Sequence, residues 1–176
     1  MRTVPNIYGG GINANINGVR FEQHTKLKTL LKSMNDFFID GDDIYYQGVK
    51  SAEVLSGTKF YSWLKSKQVD YKKIITKKIN PDEIVLCNNT VYIIEKKFQK
   101  TTGSVDEKLQ TCDFKKKQFT KLVTSLELNV EYIYVLNDWF RKECYKDVHD
   151  YILSVGCKYF FNFVPLSEIG LDFKTV

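Results

Sequence analysis

Asp82, Glu95 and Lys97 stand at one end of a short apolar stretch, "PDEIVLCNNTVYIIEKK". Charges at the ends of otherwise apolar strands are costly to bury unless they are paired or employed. Strand residues two apart share a side, so Val91, Ile93, Glu95 and Lys97 form one row and Tyr92, Ile94 and Lys96 the other. Asn88-Asn89 is a tight-turn signal, because asparagine tolerates positive φ. Folding about that turn pairs Cys87 with Thr90 and carries Asp82 across from Glu95. Two carboxylates and one amine then converge at the same end of a hairpin.

That trio has a chemical logic. Two carboxylates are hard oxygen ligands suited to Mg²⁺, and the backbone carbonyl of Lys96, between the two functional side chains, is a further ligand candidate. A divalent cation there polarises a phosphoryl group and lowers the pKa of a bound water. A lysine beside it orients that water or balances charge on a pentavalent transition state. Phosphodiester hydrolysis of this kind needs no cysteine, histidine or organic cofactor. The alternative is an edge hairpin with solvated charges.

Pro81-Asp82, twelve intervening residues and Glu95-Lys96-Lys97 resemble the PD-(D/E)xK nuclease superfamily. The wider stretch from "ITKKINPDEIVL" to "FKKKQFTKL", with "NGVRFE" before it and "YFFNFVPLSEIGL" after it, looks like type II restriction endonucleases. The resemblance implies a restriction-endonuclease-like core, an α/β (α+β) fold with a mixed central sheet flanked by helices and catalytic residues on a β-hairpin. It also implies double-stranded DNA as substrate and Mg²⁺ as cofactor, with Mn²⁺ able to substitute. Asp82 and Glu95 are then metal ligands, Lys97 assists the attacking water, and the product carries a 5′-phosphate. A homodimer with one site per strand is expected, as is a cognate DNA methyltransferase encoded nearby that is not a stable partner. The alternatives are a structure-specific or repair nuclease of the same superfamily, a non-catalytic basic DNA-binding domain, and a structural protein.

Other residues are candidates for supporting roles. Glu22, on a helix, is a further metal-ligand candidate or a solvated residue. Gln99 follows the strand and could meet a phosphate or a metal-bound water. Ser104 and Glu107 read as an S-x-x-E capping box, with Ser104 also close enough to the strand end to face a phosphate. Lys108, Lys115 and Gln118, with Thr111, read as a polar helix strip for a DNA backbone. Arg20 and Arg141 are notable because arginine reads guanine edges. His24 and His149 are single and read as surface or satisfied residues.

Several elements must position these groups. The residues from Gly18 to about Met34 read as a helix with Leu27, Leu30, Leu31 and Met34 as its stripe. "DDIYYQGV" reads as a short strand, "GTKFYSWLKSKQV" as a helix and "YKKIITKKI" as a short strand or extended segment. Gly103-Ser104 opens a long helix that buries Val105, Leu109, Cys112, Phe119, Leu122, Val123 and Leu126. "VEYIYVLN" is a strand, "RKECYKDVHDYILSV" a helix and "CKYFFNFV" a last strand. Residues 1–176 read as a single domain, with a flexible loop over about 1–16.

Composition narrows the class. The apolar share is 43%, enough for a folded core. Nothing resembles a secretory leader or a membrane span, and four scattered cysteines without a CxxC pair argue against structural zinc. The expected setting is cytoplasmic, or virion and host cytoplasm for a viral chain. The net charge is +5, and of the 26 basic side chains only Arg2, Arg20 and Arg141 are arginines. A lysine-rich chain of this kind also follows from an AT-rich genome, so charge alone is weak support for nucleic acid.

Overall fold

In the computed structural model, which describes residues 12–101 and 105–172, the chain opens with helices α1 (Ile12–His24) and α2 (Leu27–Leu31). Three strands follow, β1 (Phe37–Asp40), β2 (Asp43–Tyr46) and β3 (Val49–Leu55), and then helix α3 (Gly57–Ser66). The hairpin is β4 (Glu83–Cys87) and β5 (Thr90–Lys97). Beyond it lie α4 (Val105–Leu109), α5 (Cys112–Val123), β6 (Asn129–Leu136), α6 (Lys146–Ser154) and β7 (Lys158–Phe161).

The strands form one seven-stranded sheet in sequence order. β1 to β5 pair antiparallel, while β5, β6 and β7 are parallel. Short turns join β1 to β2, β2 to β3 and β4 to β5 and can only reverse the strand. β3 and β4 are antiparallel with α3 between them, and the parallel pairs have helical crossovers. The result is a mixed α/β architecture, in line with the coarse expectation from sequence.

Each face of the central strands carries its own apolar cluster. One face packs Ile84, Val91, Ile93, Tyr132, Tyr134 and Leu136 against Phe60 and Leu64 of α3 and Phe119 and Leu122 of α5. The other packs Val85, Ile94, Ile133 and Val135 against Leu27 and Leu31 of α2 and Val164, Ile169 and Leu171 near the C-terminal end. Because β5 and β6 are covered on both sides, a buried charge such as Glu95 or Lys96 is conspicuous there.

Several elements depart from expectation. The first helix is two: Lys26 is extended, with ψ of 124°, and separates α1 from α2. The Leu27 N–H donates to the buried Glu83 carboxylate at 3.2 Å, so a residue of β4 supplies the partner for the start of α2. β1 and β3 were not foreseen, and the "DDIYYQGV" region is β2 plus a turn in which Gln47 and Gly48 take positive φ. "YKKIITKKI" is not a strand: Tyr71–Lys73 is a 3-10 turn whose Lys72 N–H is capped by Asp70, followed by irregular chain. The long helix after the hairpin is also broken at Gln110-Thr111. The expected helix from Arg141 begins later, at Lys146, after two 3-10 turns. Among the described residues, no helix is long and apolar enough to cross a membrane.

Candidate active site

The hairpin has the register that alternation requires. Cys87 lies opposite Thr90, and Glu83 opposite Ile94. Asp82 falls one residue before β4, and its Oδ2 accepts the Lys96 N–H at 2.6 Å. Lys97 Nζ donates to Glu95 Oε1 at 2.8 Å. Lys96 points to the opposite face, where its Nζ pairs with Glu83 at 2.5 Å and its side chain is 1% exposed. Adjacent lysines therefore do different things: Lys97 joins the carboxylate row, and Lys96 is a buried ion-pair partner.

A second lysine reaches Glu95. Lys115 Nζ, from α5, donates to the same Oε1 at 2.8 Å. The helix break separates it from Lys108, so the expected continuous strip of Lys108, Thr111, Lys115 and Gln118 does not exist. Lys115 instead falls in the row of Cys112, Phe119 and Leu122, three, four and seven positions away, on the face of α5 that covers the sheet. That row was the available signal: a lysine standing in an apolar helical stripe. Lys108 is exposed, and its carbonyl accepts from the Tyr134 hydroxyl at 3.1 Å. Gln118 is half-buried.

The two carboxylates differ electrostatically. Burial alone would raise the Glu95 carboxyl, but the Lys97 and Lys115 ammoniums together hold it below the ordinary glutamate value. Asp82 goes the other way. Its burial, with Glu95's charge adding to it, outweighs the Lys96 N–H and raises its carboxyl. Glu22 is exposed on α1 yet feels the same centre: partial burial first, then Asp82's charge, raise its carboxyl against the pull of Lys96 and Lys97. The Lys96 ammonium also donates to the Glu22 carbonyl at 3.3 Å, which ties the end of α1 to the sheet beside Asp82. Tyr132 and Tyr134, on β6 beside Glu95, have phenols pushed far up by burial, with Glu95's charge adding to it.

Neighbouring residues hold the segment that carries Asp82. The Tyr61 hydroxyl donates to the Ile79 carbonyl at 2.9 Å and accepts the Ile79 N–H at 2.8 Å. Gly57, at the start of α3, packs so closely that a Cβ there would lie 2.8 Å from the Pro81 carbonyl oxygen and 2.9 Å from Asn80 Cα. At the same end of the hairpin, Asn137 continues the pairing beyond β5: its Nδ2 donates to the Gln99 carbonyl and its Oδ1 accepts the Gln99 N–H. Gln99 is 6% exposed, and its amide nitrogen and oxygen have no hydrogen-bond partner among the described residues. It is therefore not a solvated loop residue.

The remaining candidates are placed as follows. Arg20 is exposed on α1. Arg141 pairs with Asp138 at 2.7 Å and lies over the Phe161 ring at 4.0 Å, a local packing role. Ser104 lies outside the described residues, and Glu107 is exposed. His149 stacks on Tyr159 at 4.4 Å, and burial lowers its imidazole. A cleft of about 560 Å³ lies elsewhere, on α3 and the loop after it, lined by Tyr61, Tyr71, Lys65, Lys72 and Lys78.

The donor set can be tested against Mg²⁺. Asp82 and Glu95 supply hard oxygens at the same end of the hairpin, Asp82 held there by the Lys96 N–H. Among the described residues, no three carboxylates, thiols or imidazoles stand together as the side chains lie. An ion here would rest on two carboxylates, the Lys96 carbonyl and water, a set Mg²⁺ accepts. Neither a scan against protein-family models nor a search of characterised proteins found a match.

Proposed function

We propose that this protein is a Mg²⁺-dependent DNA endonuclease of the PD-(D/E)xK kind, cutting duplex DNA at a specific sequence as type II restriction enzymes do. The observation that carries the reading is the sorting of charges at the hairpin's end. Asp82 is fixed beside the strand by the Lys96 N–H, Glu95 and Lys97 touch on one face, and Lys96 is turned away. A solvated edge hairpin gives no reason for a carboxylate and two ammoniums to be gathered on the covered face of a central strand.

In this reading Asp82 and Glu95 would hold the cation together with the Lys96 carbonyl, and Glu22, which feels Asp82's charge, is a further candidate ligand. The cation supplies Lewis acidity at the phosphoryl oxygen and a more acidic water. Lys97 holds that water in line with the P–O3′ bond and donates to its oxygen as charge builds. Water provides the oxygen that ends on the 5′-phosphate and a hydrogen that ends on the 3′-hydroxyl. Symmetric cutting of both strands calls for two copies of the chain, one site per strand.

Incubating the protein with phage DNA and Mg²⁺ is expected to give discrete bands, and with EDTA none. A smear or cleavage confined to branched substrates moves the assignment to a structure-specific nuclease. Salt-sensitive binding with no nicking in Mg²⁺ or Mn²⁺ leaves only a DNA-binding domain.

The packing of Gly57 adds a second expectation. Gly57→Ala must push the Asn80-Pro81 backbone that leads into Asp82, and a displacement of about 1 Å at a reacting group costs on the order of 100-fold in rate. The cleavage rate is expected to fall by that order. Unchanged cleavage in Gly57→Ala would show that this contact does not place Asp82.

A further inference from the structure

We infer that Lys115 is a second lysine of the reaction site, one that leaves Glu95 to bind a non-bridging oxygen of the scissile phosphate. The inference rests on the nuclease reading above and assigns a role to a residue outside its motif.

Two observations carry it. First, Lys115 occupies an apolar helical row, between Cys112 and Phe119, where a charge is costly without a purpose. Second, its side chain is only 20% exposed and reaches the same Glu95 oxygen as Lys97, each at 2.8 Å. The two ammoniums therefore stand no farther apart than twice that length, and repel one another. One ammonium suffices to balance one carboxylate, so the second is held in reserve rather than required by Glu95.

Charge counting gives the surplus a use. Two carboxylates are the complement of one divalent cation. Once Asp82 and Glu95 serve that cation, Lys97 and Lys115 are both free of Glu95, and together they match the two negative charges of a pentavalent phosphorus. Lys97 is committed to the water by its place on the strand. Lys115, on a flexible stem from the helix across the site, is left for the phosphate oxygen.

The test compares wild type, Lys115→Met and Lys115→Arg. With a duplex oligonucleotide in Ca²⁺, which supports binding without turnover, Lys115→Met is expected to reduce the slope of log affinity against log salt by about one, the signature of a lost phosphate contact. In Mg²⁺ its single-turnover cleavage is expected to fall about 10²- to 10³-fold. Phosphorothioate substitution at the cut position should slow wild type more than Lys115→Met, and Lys115→Arg should restore the slope and most of the rate. An unchanged salt slope with an unchanged thio effect overturns the inference, because a lysine that only braces Glu95 would leave both alone. Should Lys115→Met fail to fold, Lys115→Gln, which keeps a neutral donor for Glu95 and removes the charge, decides by the same two measurements: a reduced salt slope with a reduced thio effect supports the inference, and both unchanged overturn it. If wild type itself neither cuts nor binds duplex DNA, the nuclease reading fails instead.

Discussion

Asp82→Asn is expected to abolish cleavage and at the same time to raise the melting temperature. The first effect follows from the role proposed for Asp82. A carboxylate that holds the cation contributes several kcal/mol of transition-state stabilisation, so its loss is expected to cost about three orders of magnitude or more in rate. The second follows from the observed electrostatics. Burial and the neighbouring Glu95 charge raise the Asp82 carboxyl, so the ionised form is disfavoured in the folded protein. An asparagine Oδ1 can still accept the Lys96 N–H, so the substitution removes the charge and keeps the hydrogen bond that fixes the segment.

The pH dependence has a definite sign. A carboxyl raised on folding adds stability while it is protonated and forfeits it as pH rises through the folded value. The melting-temperature gain of Asp82→Asn should therefore be full near neutrality and vanish below the usual aspartate range. Glu95 is lowered, so its contribution runs the opposite way, present at neutrality and lost in acid. Thermal melts of both proteins from pH 3 to 7, without divalent metal, check this directly. A melting temperature for Asp82→Asn below wild type at neutral pH contradicts it.

Lys96→Met and Lys97→Met, one residue apart, are expected to fail in opposite ways. Lys96 is 1% exposed and pairs with Glu83, whose side chain is 10% exposed. Removing one partner of a buried pair leaves the other charge stranded, at about 3–5 kcal/mol. For a chain of this length that lowers the melting temperature on the order of 10 °C. Cleavage assayed well below the transition should persist, because Lys96 contributes its backbone, and not its amine, to the site. Lys97→Met leaves Glu95 paired with Lys115 and should cost only about 1 kcal/mol of stability. Its cleavage is expected to fall about 10²- to 10³-fold.

A double variant separates charge from packing. Glu83→Met with Lys96→Met removes both charges, and apolar replacement of a buried pair is often neutral. Recovery should stop short of wild type, because Glu83 also accepts the Leu27 N–H that starts α2, and leaving that donor unpaired costs about 1–3 kcal/mol. If Lys96→Met melts like wild type, the pair does not hold α1 and α2 to the sheet.

The features legible in the sequence were those governed by local backbone geometry. Asn88-Asn89 supports a two-residue turn, and Asn88 takes φ of +52°. Once that turn is placed, a period of two leaves no freedom: Asp82 must meet the strand near Glu95, and Glu95 and Lys97 must face away from Lys96. The helices α3 and α6 and the strand β6 were legible for the same reason, since one stretch of chain contained the whole pattern.

Only the tertiary structure decided the rest, because the deciding partners lie far apart in the chain. The break between α1 and α2 depends on Glu83, a residue of β4 that offers Leu27 a better partner than helix continuation does. Gly57 matters because Asn80 and Pro81 pass against it, and no local rule asks for a glycine there. Lys115 looked like one member of a polar strip until the break at Gln110-Thr111 rotated the second helix and laid it over Glu95. Periodicity of the backbone determined which side each charge faces. The packing of α1, α3 and α5 against the sheet determined what each charge meets.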